Sequence, residues 1–344
     1  MTLGQATAPT GGLLGALLHR YGVGDPLSCV PVAKGLLNRG YRLSTTRGEF
    51  FLKHYLDGDE DVIARQHRAT VRLDELGLPV ASPVADGQGR TVTVLEDGRC
   101  FGLYPWVEGR HREGTELSAG QSARLGALLG LVHTTLAEVQ KLPQQRPDTT
   151  AAHDAADPEH THRLIDELLG LVRGQASYDA FDELAERRLV ERHALLDRWA
   201  HRRPEAGSEP EPGWVHGDFH PLNLLYRGPE PVAILDWDRL GVKPRAEEAV
   251  RAAAIFFLGP EYGALDLVKV RRYARAYRQA AGVPVEELGA AVHRVWWERL
   301  NDFWMLQWRY QEHDRRADPL FPAAAALVVW WTREYEAVLE AFTG

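Results

Sequence analysis

The sequence predicts an α+β protein in two lobes, a small β-rich N-terminal one and a larger, mainly helical C-terminal one. Three observations predict it. From residue 28 to 109 apolar residues come in short runs broken by glycine-containing turns, with a single helical stretch among them. Beyond residue 109 the pattern changes to long segments of helical period. Where the two textures meet lies a short connector, Tyr104-Pro105-Trp106-Val107-Glu108-Gly109. With 344 residues, the chain is long enough for two domains and a hydrophobic core that needs no disulfide or metal.

The elements follow in order. Leu13, Leu14, Leu17 and Leu18 form a short apolar group before His19-Arg20-Tyr21, without a basic leader or a small-residue cleavage site. Residues 1–27 therefore read as a segment with a short amphipathic helix, not a signal peptide. A first strand, Cys29 to Ala33, is interrupted by Gly35-Leu36-Leu37-Asn38-Arg39-Gly40. Tyr41 to Thr46 alternates, and Glu49 to Lys53 resumes after Arg47-Gly48, which makes a hairpin. Asp61 to Leu76 carries a helical stripe that Gly77 stops, with Pro79 two residues on. Arg90 to Glu96 and Cys100 to Trp106 form a second hairpin around Asp97-Gly98.

In the C-terminal lobe, residues 118–139 read as a strong amphipathic helix in which His133 is a core histidine, and charged helices follow at about 161–173 and 179–201. A polar loop, Leu142 to Pro158, and a linker, Arg202 to Pro212, separate them from their neighbours. Two short strands, Trp214 to His216 and Val232 to Leu235, flank a compact polar segment. From 246 onward everything reads as helix, and six of the ten tryptophans fall between 296 and 331, as core aromatics. The expected organisation is an N-terminal helical segment 1–27, an N-lobe 28–103, a hinge 104–109 and a C-lobe 110–344.

Composition excludes several functions. The net charge is −8 and the pI about 6.0, so no general basic field attracts nucleic acid. The longest apolar run, Phe321 to Trp331, is 11 residues with a proline, well short of a membrane span. Cys29 and Cys100 cannot build a disulfide framework or a zinc site and read as small buried hydrophobes. A soluble, cytoplasmic protein with neither a membrane nor a nucleic-acid partner is expected.

The chemistry centres on His216-Gly217-Asp218-Phe219-His220-Pro221-Leu222-Asn223, followed 13 residues later by Asp236 in Ile234-Leu235-Asp236-Trp237-Asp238. Strand, tight loop and returning strand would bring two carboxylates and an amide oxygen together. An amide oxygen and one carboxylate suit Mg²⁺, a hard cation that also takes phosphate oxygens. The remaining carboxylate can orient a hydroxyl and accept its proton. These are the parts that phosphoryl transfer needs. The chain holds only five lysines and three asparagines, so Lys53 and Asn223 stand out as scarce types in meaningful places.

The pattern H-G-D-x-x-x-x-N with a following aspartate, matched by His216, Gly217, Asp218, Asn223 and Asp236, resembles the aminoglycoside phosphotransferase and homoserine kinase-like family, relatives of the protein kinases. Gly35 to Tyr41 with Thr45, Gly48 and Leu52-Lys53 is similar to that family's nucleotide-binding hairpin. Leu78-Pro79-Val80 and the hinge Leu103 to Gly109 are similar too. Asp318-Pro319-Leu320-Phe321-Pro322 looks like a segment of its stress-response kinases.

The resemblance, over about residues 28 to 330, implies a bilobal protein-kinase-like fold with ATP and Mg²⁺ between the lobes and a small-molecule hydroxyl acceptor. It implies that Asp218 is the catalytic aspartate, that Asn223 and Asp236 hold Mg²⁺, and that Lys53 pairs with the α- and β-phosphates. Asn38 and Gly40 would belong to the nucleotide hairpin. The backbone of Pro105, Trp106 and Val107 would meet adenine, and His216 would brace the loop.

There are departures. Gln66 stands where the family commonly has a glutamate pairing with the strand lysine; Glu60 or Asp61 is the alternative if the helix register differs. Asp238 stands where protein kinases carry glycine, either as an addition to the metal site or facing an amine on the substrate. Three other readings touch parts of the pattern: a serine/threonine protein kinase of the stress-response type, a non-catalytic nucleotide-binding module, and a zinc hydrolase using His216, Asp218 and His220. Glu298, Asp302, Glu312 and Asp314 among the late tryptophans read either as a solvated face or as an acidic cleft for an amine-bearing alcohol.

Overall fold

The computed structural model describes residues 11–32, 38–140, 155–259 and 263–344. The Gly35-Leu36-Leu37 part of the expected nucleotide hairpin and most of the 142–158 loop lie outside them. The chain divides into two compact units. One runs up to Arg112 and also takes Leu222–Leu240; the other holds Glu113–Pro221 and Gly241–Gly344. The 222–240 segment, which the sequence reading places in the C-lobe, therefore clusters with the N-terminal unit.

The first unit opens with α1 (Gly11–Tyr21) and builds an antiparallel sheet from β1 (Pro26–Val32), β2 (Arg39–Thr45), β3 (Gly48–Tyr55), β4 (Val92–Val94) and β5 (Cys100–Pro105), in the order β1-β2-β3-β5-β4. The short apolar group of α1 explains its place. Leu14, Leu17 and Leu18 are buried with Leu43, Leu52, Phe101 and Leu103 of the sheet. Helix α2 (Glu60–Glu75) starts where Asp59 accepts from the amides of Asp61 and Val62, which satisfies two otherwise orphaned donors. Gly77, at φ +83°, turns the chain out of it.

The second unit begins with α3 (Ala119–Val139), α4 (Pro158–Arg173), α5 (Ala180–Trp199) and the short β6 (Pro212–Val215). The chain then forms a two-stranded ribbon of the first unit, β7 (Leu224–Arg227) and β8 (Glu230–Ile234). It returns through β9 (Gly241–Pro244), which pairs with β6, into α6 (Arg245–Phe256), α7 (Leu267–Ala281), α8 (Val285–Asn301), α9 (Trp304–Tyr310), α10 (Phe321–Arg333) and α11 (Tyr335–Thr343). Strands β7 and β9, four residues each, lie in stretches too short for periodicity to reveal.

Helix α3 packs along α7 because glycines line the contact. A Cβ at Gly126 would come within 2.2 Å of the Tyr273 carbonyl oxygen, and one at Gly130 within 2.7 Å of Ala280. Trp296, Trp297 and Trp331 are fully buried, in keeping with the core reading of the late tryptophans. Cys100 is buried and Cys29 half-buried, both free thiols.

Candidate active site

Strand β3 delivers Lys53 between Gly40 of β2 and Gly102 of β5, its register partners. Lys53 is 8% exposed, and its Nζ lies 2.6 Å from Asp236 Oδ1 and 2.7 Å from Asp238 Oδ2. Burial pulls the ammonium pKa down, but Asp238 and then Asp236 outweigh it, so the group stays charged above its ordinary value. The ribbon explains the placement of its partners. Leu224 pairs with Ile234, and the Leu235 amide donates to the Asn223 carbonyl at 2.8 Å, so Asn223 and Asp236 share one end of the ribbon. The Ile234 amide donates to the Pro79 carbonyl at 2.7 Å, which ties that end to Leu78-Pro79-Val80. Asp236 itself has φ 59° and ψ 69°, a left-handed turn that aspartate enters more readily than most residues.

Asp238 is the second anchor. Its Oδ2 accepts from Asn38 Nδ2 at 2.5 Å, and its backbone carbonyl accepts from Gln66 Nε2 at 2.7 Å. Burial pushes the Asp238 carboxyl up and Asp236 adds to the rise, while Lys53 opposes it. Asn38 also accepts from the Leu56 amide at 3.1 Å. Gln66 is thus buried but holds the Asp238 backbone rather than the lysine, and Glu60 and Asp61 are exposed in the first turn of α2. The counter-charges of Lys53 come from the turn after β8. A Cβ at Gly40 would come within 2.6 Å of the Phe51 ring, which would have to shift to admit it.

A polar cluster that sequence reasoning missed lies beside the lysine. Tyr104 Oη meets Tyr55 Oη at 2.6 Å and His67 Nε2 at 2.7 Å, and His67 Nδ1 meets Thr91 Oγ1 at 2.9 Å. Burial, and then Lys53, push the His67 pKa down to about 4, and burial raises that of Tyr104 to about 12. In the connector, Pro105 has no amide hydrogen, and the Trp106 amide donates to the Glu49 carbonyl at 3.1 Å. The Trp106 ring is covered by the Arg42 guanidinium at 4.4 Å.

In the second unit, the loop after β6 is held from beneath. Glu248 of α6 is buried, and its carboxylate accepts from the His216 amide at 3.1 Å, from the Gly217 amide, and from His133 at 2.7 Å. His133 in turn meets Tyr277 Oη at 3.0 Å. Burial alone would raise the Glu248 pKa, but the bond from His133, the nearby imidazoles of His133 and His216 and the Gly217 amide outweigh it and hold it below the usual value. Gly217 takes φ +85°.

The Asp218 amide donates to His216 Nδ1 at 3.2 Å, so the ring proton of His216 sits on Nε2. Asp218 itself keeps a third of its side chain exposed, with His220 Nε2 3.6 Å from Oδ2. His216 is fully buried and turned to the loop backbone. The zinc-hydrolase arrangement does not form. Among the described residues, the histidine, cysteine and acid ligand atoms that converge in a group of three belong to His162, His193 and Asp197 instead.

Sequence reasoning gave no role to Glu248. Glu247 and Glu248 are both buried in an alanine-rich helix, and adjacency alone does not tell which one reaches the loop. Two of the four late acids are in ion pairs. Glu298 binds Arg251, and Asp314 binds Arg316 at 2.6 Å. Asp318 accepts from Arg309, which also reaches Asp179 and Asp182, so that motif is part of a charge cluster of the helical unit.

Residues 28–283 match the phosphotransferase enzyme family. A stretch of 101 residues is 34% identical to the homoserine kinase of Rhodopseudomonas palustris, covering 28% of this chain and 29% of that protein. The match therefore spans less than a third of that relative's length. The homoserine kinase of Methylobacillus flagellatus is 22% identical over 303 residues, 84% of each chain. Among solved structures, a spectinomycin phosphotransferase in complex with ADP and spectinomycin superposes with a TM-score of 0.66 at 16% identity, over 96% of this chain and 100% of that one.

Proposed function

The chain belongs to the phosphotransferase enzyme family, and from that premise we propose that it is a kinase that moves the γ-phosphoryl of ATP, with Mg²⁺, to a hydroxyl of a small molecule of the amino alcohol, amino acid or amino sugar type. The fold is that of the protein-kinase-like phosphotransferases. The observation that carries the proposal is Lys53, a buried ammonium faced by two carboxylates at the ribbon end that also holds Asn223.

The residues fit the cation. Asp236 and Asp238 place two negative charges around one positive charge, and the donors on offer are hard oxygens. Asn223 and Asp236 would hold Mg²⁺, which when bound neutralises charge on the phosphates. Lys53 would then bind phosphate oxygens, and Val107 the adenine edge.

In the second unit, Asp218 would orient the acceptor hydroxyl and take its proton. As it does so, the acceptor oxygen bonds to the γ-phosphorus, and the β,γ-bridging oxygen leaves with ADP. Glu248 fixes the backbone of His216 and Gly217, so the loop that carries Asp218 is set before substrate arrives. The acceptor class is supported by relatives named for homoserine and spectinomycin. Among the described residues, no helix is long and apolar enough to cross a membrane.

The test is Mg²⁺-dependent ADP release from ATP across homoserine, amino alcohols, amino sugars, aminoglycosides and unfolded protein, with Asp218→Ala as the blank. Release with one small-molecule class identifies the acceptor. Label appearing only in protein would replace the proposal with a protein kinase. ATP binding without transfer to any acceptor would replace it with a nucleotide-binding module.

A further inference from the structure

We propose that His162, His193 and Asp197 form a binding site for a divalent transition metal, zinc by preference, that ties α4 to α5. His193 and Asp197 are four residues apart on α5 and so share a face, and His162 comes from α4, which packs against it. One ligand atom from each lies within 4.8 Å of the others. The two imidazole centroids are 4.2 Å apart.

The spacing tells how the carboxylate is used. His162 Nε2 is 3.3 Å from Asp197 Oδ1, and His193 Nδ1 is 3.2 Å from Oδ2. A charge-assisted N–H···O bond runs to about 2.7–2.9 Å. The same protein makes one of that kind, between His133 and Glu248 at 2.7 Å. The two contacts of Asp197 are longer. Each runs to a different oxygen of the one carboxylate, which stands between the two imidazoles. The three side chains thus bring two imidazoles and a carboxylate within reach of one ion.

The donor chemistry selects the ion. Two imidazole nitrogens and one carboxylate suit Zn²⁺ and its neighbours in the transition series, whereas Mg²⁺ takes oxygens. Asp197 is 62% exposed at its side chain, so solvent can complete the coordination. The site shares no residue with Lys53, Asn223, Asp236 or Asp218 and does not rest on the phosphoryl-transfer reading.

The experiment uses the full chain, stripped with chelator and dialysed against Zn²⁺ in excess Mg²⁺, with bound zinc counted by atomic emission. Co²⁺ serves as a second probe, through its tetrahedral visible bands. Wild type should retain one zinc that His162→Ala and His193→Ala each lose, and Asp197→Asn should bind it about tenfold more weakly or worse. His201→Ala should keep it. Asp197 is exposed, so its variant keeps the fold and the comparison stands if a histidine variant unfolds. Zinc binding equal to wild type in the ligand variants, or no zinc retained by wild type, would overturn the proposal.

Discussion

Asp238 Oδ2 lies 2.7 Å from Lys53 Nζ, and the Asp238 backbone is fastened by Gln66. The two facts belong together. A glutamine at position 66 brings no charge to the lysine, and the charge that α2 does not provide comes from Asp238 and Asp236 on the turn after β8. The helix still contributes, because its amide holds that turn in place.

Asp238→Asn should therefore weaken the hold on Lys53 and lower kcat/KM for ATP by about tenfold, about 1.4 kcal/mol. Gln66→Ala removes one hydrogen bond to a partly buried carbonyl and should cost about 1 kcal/mol of stability with a smaller kinetic effect. Steady-state kinetics of both variants, alongside denaturant titration, separates them. A kinetic loss from Gln66→Ala equal to that from Asp238→Asn would assign the lysine to the helix after all.

Asp218→Ala should lower turnover by about a thousandfold or more while leaving ATP binding intact, because Asp218 belongs to the second unit and Lys53 to the first. Turnover assays paired with calorimetric ATP titration check both halves. Near-wild-type turnover would remove Asp218 from the chemistry.

Glu248→Ala should destabilise the protein by about 3 kcal/mol, since it leaves two loop amides and His133 without their buried acceptor. Glu248→Gln tests the charge. The folded pKa lies below the ordinary value, so the unfolded chain takes up the proton first. The stabilisation is complete above about pH 4.3 and is lost as the pH falls from there through the folded pKa. Acid titration of wild type should show this component, and Glu248→Gln should lack it.

His67 acts in a different window. Its folded pKa is about 4, so between about pH 6.5 and pH 4 the unfolded chain holds a proton that the folded one refuses. Stability should fall with pH across that window by up to about 3 kcal/mol. Urea unfolding at pH 7 and pH 5 measures it, and His67→Phe should flatten the difference.

Gly126→Val should cost about 2–3 kcal/mol, because the new side chain meets the Tyr273 backbone oxygen and α3 must move off α7. A thermal melt shows it directly. An unchanged melting temperature would mean that the two helices are less closely packed than the structure shows.

Much of this was legible in the chain. The β2–β3 hairpin is written in the alternation of Tyr41 to Lys53 around Arg47-Gly48, and α2 in its stripe between Asp59 and Gly77. The residues of the proposed site stand at recognisable spacings in His216 to Asn223 and Asp236, because a loop of fixed length carries most of them. Glu248, His133 and Tyr277 were not legible as a brace. Each looks like a core residue of an ordinary helix, and only packing brings them together under one loop.

The sequence by itself determined the two textures of the chain and the residue types on which the proposed phosphotransfer chemistry rests, since periodicity and motif spacing are local properties. Tertiary structure alone decided which charges face Lys53, why Gln66 is tolerated, and that the ribbon at 222–240 clusters with the N-terminal unit. Those are contacts between residues far apart in the chain, set by burial and strand register, and no local pattern records them.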